Sequence, residues 1–213
     1  MSCRIIFVRH GQSIGNLNNV YLGHTDLDLS PLGLKQAEYV GEYLSKRKID
    51  MIYCSDLKRA YQTALPLANL KNIKPIKTQA LREIFAGKWE NRLFSDLEEV
   101  FFETYGLWLS NIGLSCPDDG ESVAMLQKRI IAEVERIAKE NEGKTVAVFT
   151  HATPIRTFFA FIRGMELNEI KDIPWATNTS VSEVEYNDGK FTEICYSRDE
   201  FLGNITTAFP NNV

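Results

Sequence analysis

The chain has 213 residues, with 24 Lys and Arg against 28 Asp and Glu, and its net charge of −4 is scattered along the sequence. That excludes the clustered basic footprint of a nucleic-acid binder, and the length suits one core, because cores divide only above about 250 to 300 residues. The most apolar stretch, 157–165, is interrupted by Arg163 and falls short of the roughly 18 residues a membrane span needs, so a small molecule is the expected partner.

In chain order, Ile5-Ile6-Phe7-Val8 is an apolar run predicted as a buried strand. Its Met-Ser-Cys-Arg lead-in has no charged-then-apolar secretion leader, and Cys3, Cys54, Cys116 and Cys195 form no C-x-x-C pair. Both features predict a reducing, cytoplasmic setting. Ser30-Pro31 supplies an N-cap and a first helical position, and Ala37, Val40 and Leu44 carry the helix on. A strand over 51–54, a helix over about 57–70 and a strand near 75–78 follow. The segment of about 88–117 is too long for a loop and reads as an inserted helical cap. Its aromatics Trp89, Phe94, Phe101, Phe102, Tyr105 and Trp108 are predicted mainly to pack inside it, with one or two facing a pocket. Val123, Leu126, Ile130, Val134 and Ile137 mark a helix over 123–138. A strand over 145–150, a helix opening at Thr153-Pro154 and a hairpin over 180–196 around Asn187-Asp188-Gly189 complete the order. Residues 204–213 read as a loose tail, and the glycosylation-like triplets at Asn178 and Asn204 as chance matches. Alternating strands and helices predict an α/β three-layer sandwich within one domain, 1–213. Its central sheet is mainly parallel and covered by helices on both faces.

Such sheets hold ligands at the carboxyl ends of their strands. There the sequence offers Arg9-His10, 55–59 with Arg59, and Thr150-His151. These are the parts phosphoryl transfer requires: an imidazole nucleophile in His10, planar forks in Arg9 and Arg59, and a further donor in His151, charged or neutral. Asn16 and Gln12, just after His10, could bond a remaining oxygen. Glu83 sits between apolar neighbours as candidate acid for the leaving alkoxide, whereas Arg82 reads as a surface charge.

Several segments in order carry a resemblance. They are Arg9-His10-Gly11-Gln12-Ser13-x-x-Asn16, Gly23-x-Thr25-Asp26, Ser55-x-Leu57-x-Arg59-Ala60-x-x-Thr63, Leu81-Arg82-Glu83 with Gly87-x-Trp89-Glu90, Gly120-Glu121-Ser122, and Thr150-His151. Over about residues 4–185 the chain resembles the histidine phosphatase superfamily, in the branch that holds phosphoglycerate mutases and related phosphatases. The resemblance implies a phosphorylated His10, a phosphate pocket of Arg9, Arg59 and His151, a contact from Asn16, and acid–base work by Glu83. It places Gly23 near substrate, with His24 either lining the entrance or serving as a polar loop residue. Neither a metal nor a cofactor is implied, and by analogy alone the chain would form a homodimer through a sheet edge or the cap. Departures stand at Ala152 and Thr153, where the family favours Gly-Gly, at Asn91 in place of Gly, and at Pro117-Asp118-Asp119-Gly120.

The resemblance leaves three activities to weigh: hydrolysis of a small phosphate monoester, cofactor-dependent mutase chemistry, and non-catalytic binding of a phospholigand. No Lys or Arg occurs from Leu93 through Gln127, where Asp96, Glu98, Glu99, Glu103, Asp118, Asp119 and Glu121 stand. A cap of that charge would repel a second phosphate, which favours a hydrolase acting on a small phosphorylated metabolite.

Overall fold

The computed structural model describes residues 1–207. Strand β1 (Cys3–Arg9) leads into the four-residue helix α1 (Ile14–Leu17), then β2 (Val20–Tyr21), α2 (Pro31–Ser45), β3 (Met51–Ser55), α3 (Lys58–Lys71) and β4 (Ile76–Thr78). The cap follows as β5 (Arg92–Leu93), α4 (Phe94–Val100) and α5 (Phe102–Asn111), and the chain returns through α6 (Val123–Glu140), β6 (Thr145–Thr150), α7 (Ala152–Ile162), β7 (Val181–Asn187) and β8 (Lys190–Arg198). The main sheet has the order β4-β3-β6-β1-β7-β8. Its first four strands run parallel, while β7 is antiparallel to β1 and β8 antiparallel to β7. This is the three-layer α/β sandwich expected.

Alternation along β1 shows why both faces are covered. Ile5 and Phe7 point into a core with Ile130, Val134 and Ile137 of α6 and Phe158 and Phe159 of α7, whereas Ile6 and Val8 join Val40 and Leu44 of α2 and Ala64 and Leu67 of α3. A third cluster under the cap gathers Trp89, Phe94, Leu97, Tyr105 and Trp108 around Tyr21. Phe102 is exposed instead. Among the described residues no helix is long and apolar enough to cross a membrane.

Three elements escape a periodicity reading, because they are too short to carry a period: α1 and the two-stranded ribbon β2–β5. The last helix starts at Ala152, one residue before the expected opening, and Gly164 follows its end at φ +69°. Residues 208–213 of the expected loose tail lie outside the described residues. Its earlier part is anchored, not loose. Gln36 Nε2 donates to the Ile205 carbonyl at 2.8 Å, and Thr207 Oγ1 donates to Asn178 Oδ1 at 2.9 Å.

Candidate active site

The carboxyl ends of β1, β3 and β6 meet, because parallel neighbours end together. Arg9 pairs in register with Thr150, and His10 N donates to the Thr150 carbonyl. The loop after β1 then passes close over α2. A Cβ on Gly11 would lie 2.6 Å from the Gly33 carbonyl oxygen, so only glycine fits there. Gly11 N donates to Thr63 Oγ1 at 3.0 Å, and Thr63 in turn donates to the Arg59 carbonyl, which ties the His10 loop to the helix that carries Arg59.

His10 is 4 % exposed, and its Nδ1 lies 2.7 Å from the Gly11 carbonyl. A carbonyl only accepts, so Nδ1 carries the hydrogen and Nε2 keeps its lone pair. Burial, reinforced by the Arg59 and Arg9 charges, holds this imidazole well below the usual 6.5, so it is neutral at pH 7. His151 lies edge-on to it, with ring centroids 5.1 Å apart, fully buried and with no partner on either ring nitrogen among the described residues. Burial and Arg59 push its pKa well down as well. Of the two forms left open by sequence, burial favours the neutral one, which keeps one ring N–H; His151 itself stands behind His10 and is not among the lining residues.

The cations are built in by backbone carbonyls. Arg9 donates from Nη1 to the Ala176 carbonyl at 2.6 Å, and Arg59 from Nη1 to Thr25 at 2.9 Å and from Nη2 to Gly23 at 2.7 Å. Burial pushes Arg9 down to about 9 and Arg59 to about 10, opposed in both cases by the Glu83 carboxylate, and both remain cationic at pH 7. The fork of Arg59 is thus partly committed to the 23–25 loop, while its Nε is buried without a partner among the described residues. Orphaned buried donors on Arg59 and His151 cost on the order of 1–3 kcal/mol each, a cost that an arriving oxyanion removes.

Glu83 lines the same pocket and accepts from Ile84 N at 2.8 Å and Thr153 N at 3.3 Å. Arg129 fixes its backbone from behind, donating to the Glu83 and Arg82 carbonyls while pairing with Glu121 at 2.7 Å. Arg82 pairs with Asp56 at 2.6 Å and is not among the lining residues. Asn16 does line the pocket. Its Oδ1 accepts from Ser13 N and Asn178 Nδ2, which leaves the amide NH2 as the donor for a ligand.

Gln12 is placed elsewhere. It is absent from the lining, its Oε1 accepts from Ser30 Oγ at 2.7 Å, and its backbone bonds Gln36 and Ser30, so it fastens the loop to the start of α2. Gly23 lines the pocket at φ +49°, where a Cβ would fall 2.2 Å from Glu90 Oε1. Glu90 accepts from the backbone N–H groups of His24, Thr25 and Ala86, which shapes that loop and with it the carbonyls that hold Arg59. His24 Nε2 lies 2.9 Å from the Glu83 carbonyl, at the rim of a neighbouring groove.

The sequence departures are absorbed. Ala152 takes no positive φ and serves as the first residue of α7, Asn91 adopts φ +58°, and Asp119 adopts φ +56°. The acidic cap requires a correction of reason. None of its seven carboxylates lines the pocket; Asp118 accepts from Trp89 Nε1 and Thr104 Oγ1, Asp119 pairs with Lys88, and Glu121 pairs with Arg129. A second phosphate is disfavoured instead because the described lining residues include no cation beyond Arg9 and Arg59.

Sequence reasoning passed over Asn178, Thr63 and Trp175. Asn178 is 3 % exposed and donates to the His10 carbonyl at 2.8 Å, so the glycosylation-like triplet has a structural use. Thr63 could have been found from its place one turn after Arg59 on the same helix face. For Trp175, in an irregular segment between α7 and β7, no sequence signal exists. The pocket, about 490 Å³ with its open mouth, is completed by Val20, Tyr21, Leu22, Phe94 and Trp108.

Other proteins resemble this chain in sequence and in fold. Phosphoserine phosphatase 1 of Hydrogenobacter thermophilus is 34 % identical over 166 residues, covering 78 % of this chain and 79 % of that protein. A metal-independent phosphoserine phosphatase of Arabidopsis thaliana is 31 % identical over 204 residues, covering 94 % and 84 %. The crystal structure of an Entamoeba histolytica phosphoserine phosphatase in complex with 3-phosphoglyceric acid superposes with a TM-score of 0.83 at 27 % identity, over 94 % of this chain and 99 % of that one. The family model of the histidine phosphatase superfamily (branch 1) matches residues 5–198, from β1 to the end of β8. A buried neutral imidazole among orphaned donors and relatives that hydrolyse phosphate esters lead to one assignment: this chain belongs to branch 1 of the histidine phosphatase superfamily and is a phosphatase of small phosphate esters.

Proposed function

We propose that hydrolysis runs through a phosphohistidine on His10, with Arg9, Arg59 and His151 gripping the phosphoryl oxygens and Glu83 moving the proton. One observation carries the reading: Nδ1 of a buried, neutral His10 is committed to the Gly11 carbonyl. That leaves Nε2 as the single nucleophilic lone pair at the meeting point of two buried cations. Attack of Nε2 on phosphorus forms the N–P bond as the ester P–O bond breaks, and the Glu83 carboxyl delivers a proton to the departing alkoxide. Water then attacks the phosphohistidine, giving its proton to the Glu83 carboxylate, and His10 is restored. Charge on the three equatorial oxygens is spread over the Arg59 and Arg9 guanidinium groups, the His151 N–H and the Asn16 amide.

A small phosphorylated metabolite is the substrate class that the pocket and the relatives named for phosphoserine support. Rapid acid or base quenching during turnover tests the mechanism. An acid-labile, base-stable phosphate should be found on His10, and His10→Ala should lose both label and activity. Turnover near the wild-type rate in His10→Ala would overturn it.

A further inference from the structure

Beyond the phosphate grip, the pocket wall is made of Val20, Tyr21, Leu22, Phe94, Trp108 and Trp175. The rings brace one another: Tyr21 meets Phe94 at 5.9 Å and Trp108 at 5.6 Å, both edge-on, and Trp108 stacks on Trp175 at 6.3 Å. Trp175 is held in turn by Arg156, whose guanidinium lies 4.1 Å from its ring centroid. Among the described lining residues Arg9 and Arg59 are the only cations and Glu83 the only carboxylate, and the mechanism proposed above assigns all three to the phosphoryl group and the leaving oxygen. An ammonium or carboxylate on the alcohol portion would leave water for a wall of rings with no opposite charge to meet it. An uncharged ring loses nothing there and gains the burial of its apolar surface.

We propose, resting on the phosphatase reading above, that this wall selects esters whose alcohol portion is uncharged and ring-bearing, with Trp108 and Trp175 as its specificity-determining side chains. The preference departs from a charged amino-acid ester such as phosphoserine.

The test compares kcat/KM for 2-phenylethyl phosphate, ethyl phosphate, O-phosphoserine and 3-phosphoglycerate. All four are primary alkyl esters, so leaving-group quality does not favour the ring. The phenylethyl ester should exceed each of the others by about tenfold or more, the scale of burying one ring. Trp175→Ala, at a half-buried position, should lower the phenylethyl-to-ethyl ratio by about fivefold, and Trp108→Phe should lower it less, with residual ethyl phosphate turnover showing that each variant is folded. Charged esters that match or beat the phenylethyl ester, or an unchanged ratio in folded Trp175→Ala, would overturn this selectivity and leave the His10 chemistry standing. Hydrolysis of none of the four would overturn both.

Discussion

Replacing Arg59 by Lys keeps the charge and removes the fork, and the structure sets how much should be lost. Nη1 and Nη2 hold the Thr25 and Gly23 carbonyls, and Nε is buried with no partner among the described residues. A charge-assisted bond of this kind contributes about 1.5–3 kcal/mol, and one ammonium can keep at most one of the two carbonyls in the same place. Losing the other should lower Tm by about 3–12 °C for a chain of this length. The loss of a donor aimed at the developing charge adds about 2.7–4 kcal/mol to the barrier, so kcat/KM should fall by about a hundred- to a thousandfold. Steady-state hydrolysis of p-nitrophenyl phosphate, beside thermal unfolding followed by circular dichroism, measures both. A loss in kcat/KM under about threefold, less than 1 kcal/mol, with Tm unchanged, would refute the assignment of Arg59 to the phosphate grip.

Glu83→Gln should damage turnover of alkyl phosphates far more than of p-nitrophenyl phosphate, whose phenolate leaves without a proton; stopped-flow kinetics on the aryl ester should show a nitrophenol burst before slow turnover. Equal losses for both esters and no burst would remove Glu83 as the proton donor. His10, His24 and His151 all have pKa values lowered by burial, so below about 6.5 the unfolded chain binds protons that the folded chain refuses. Stability is therefore full above that pH and falls as the pH drops below it, and guanidinium midpoints at pH 7.5 and 5.5 should show the loss. A midpoint that holds or rises at pH 5.5 would contradict it. Asn178→Ala strips a bond from the His10 carbonyl and a donor from Asn16, and should destabilise by about 1–3 kcal/mol while lowering kcat; chemical unfolding and initial rates read the two effects.

The groups proposed to do the chemistry were legible in the sequence because parallel strands end together. Arg9-His10, Arg59 and His151 each follow an apolar run, and the sheet order β3-β6-β1 brings those ends side by side. What was illegible depends on which way a side chain turns. Gln12 and Asn16 are both polar residues of one loop, yet Ser30 takes the first, while Ser13 and Asn178 orient the second toward ligand work. The protonation state of His151 follows from burial that only the assembled sheet supplies. The charge count of the cap suggested repulsion, but none of the seven carboxylates lines the pocket, and Asp118, Asp119 and Glu121 face Trp89, Thr104, Lys88 and Arg129; partner choice of that kind has no sequence period.

The antiparallel insertion of β7 beside β1 governs when a newly made chain can work. A nascent chain grown only to residue 175 already contains Arg9, His10, Arg59, Glu83 and His151. It lacks the Ala176 carbonyl that holds Arg9, the Asn178 amide that holds the His10 carbonyl, and the strand whose Tyr186 through Val181 zip along Cys3 to Val8. The bond from Asn178 to His10 spans 168 residues of sequence, a contact of high order that pays its loop-closure entropy late in folding. Assembly of the site therefore waits for the last fifth of the chain, and a chain made only to residue 175 carries all five groups in a site that is not yet built.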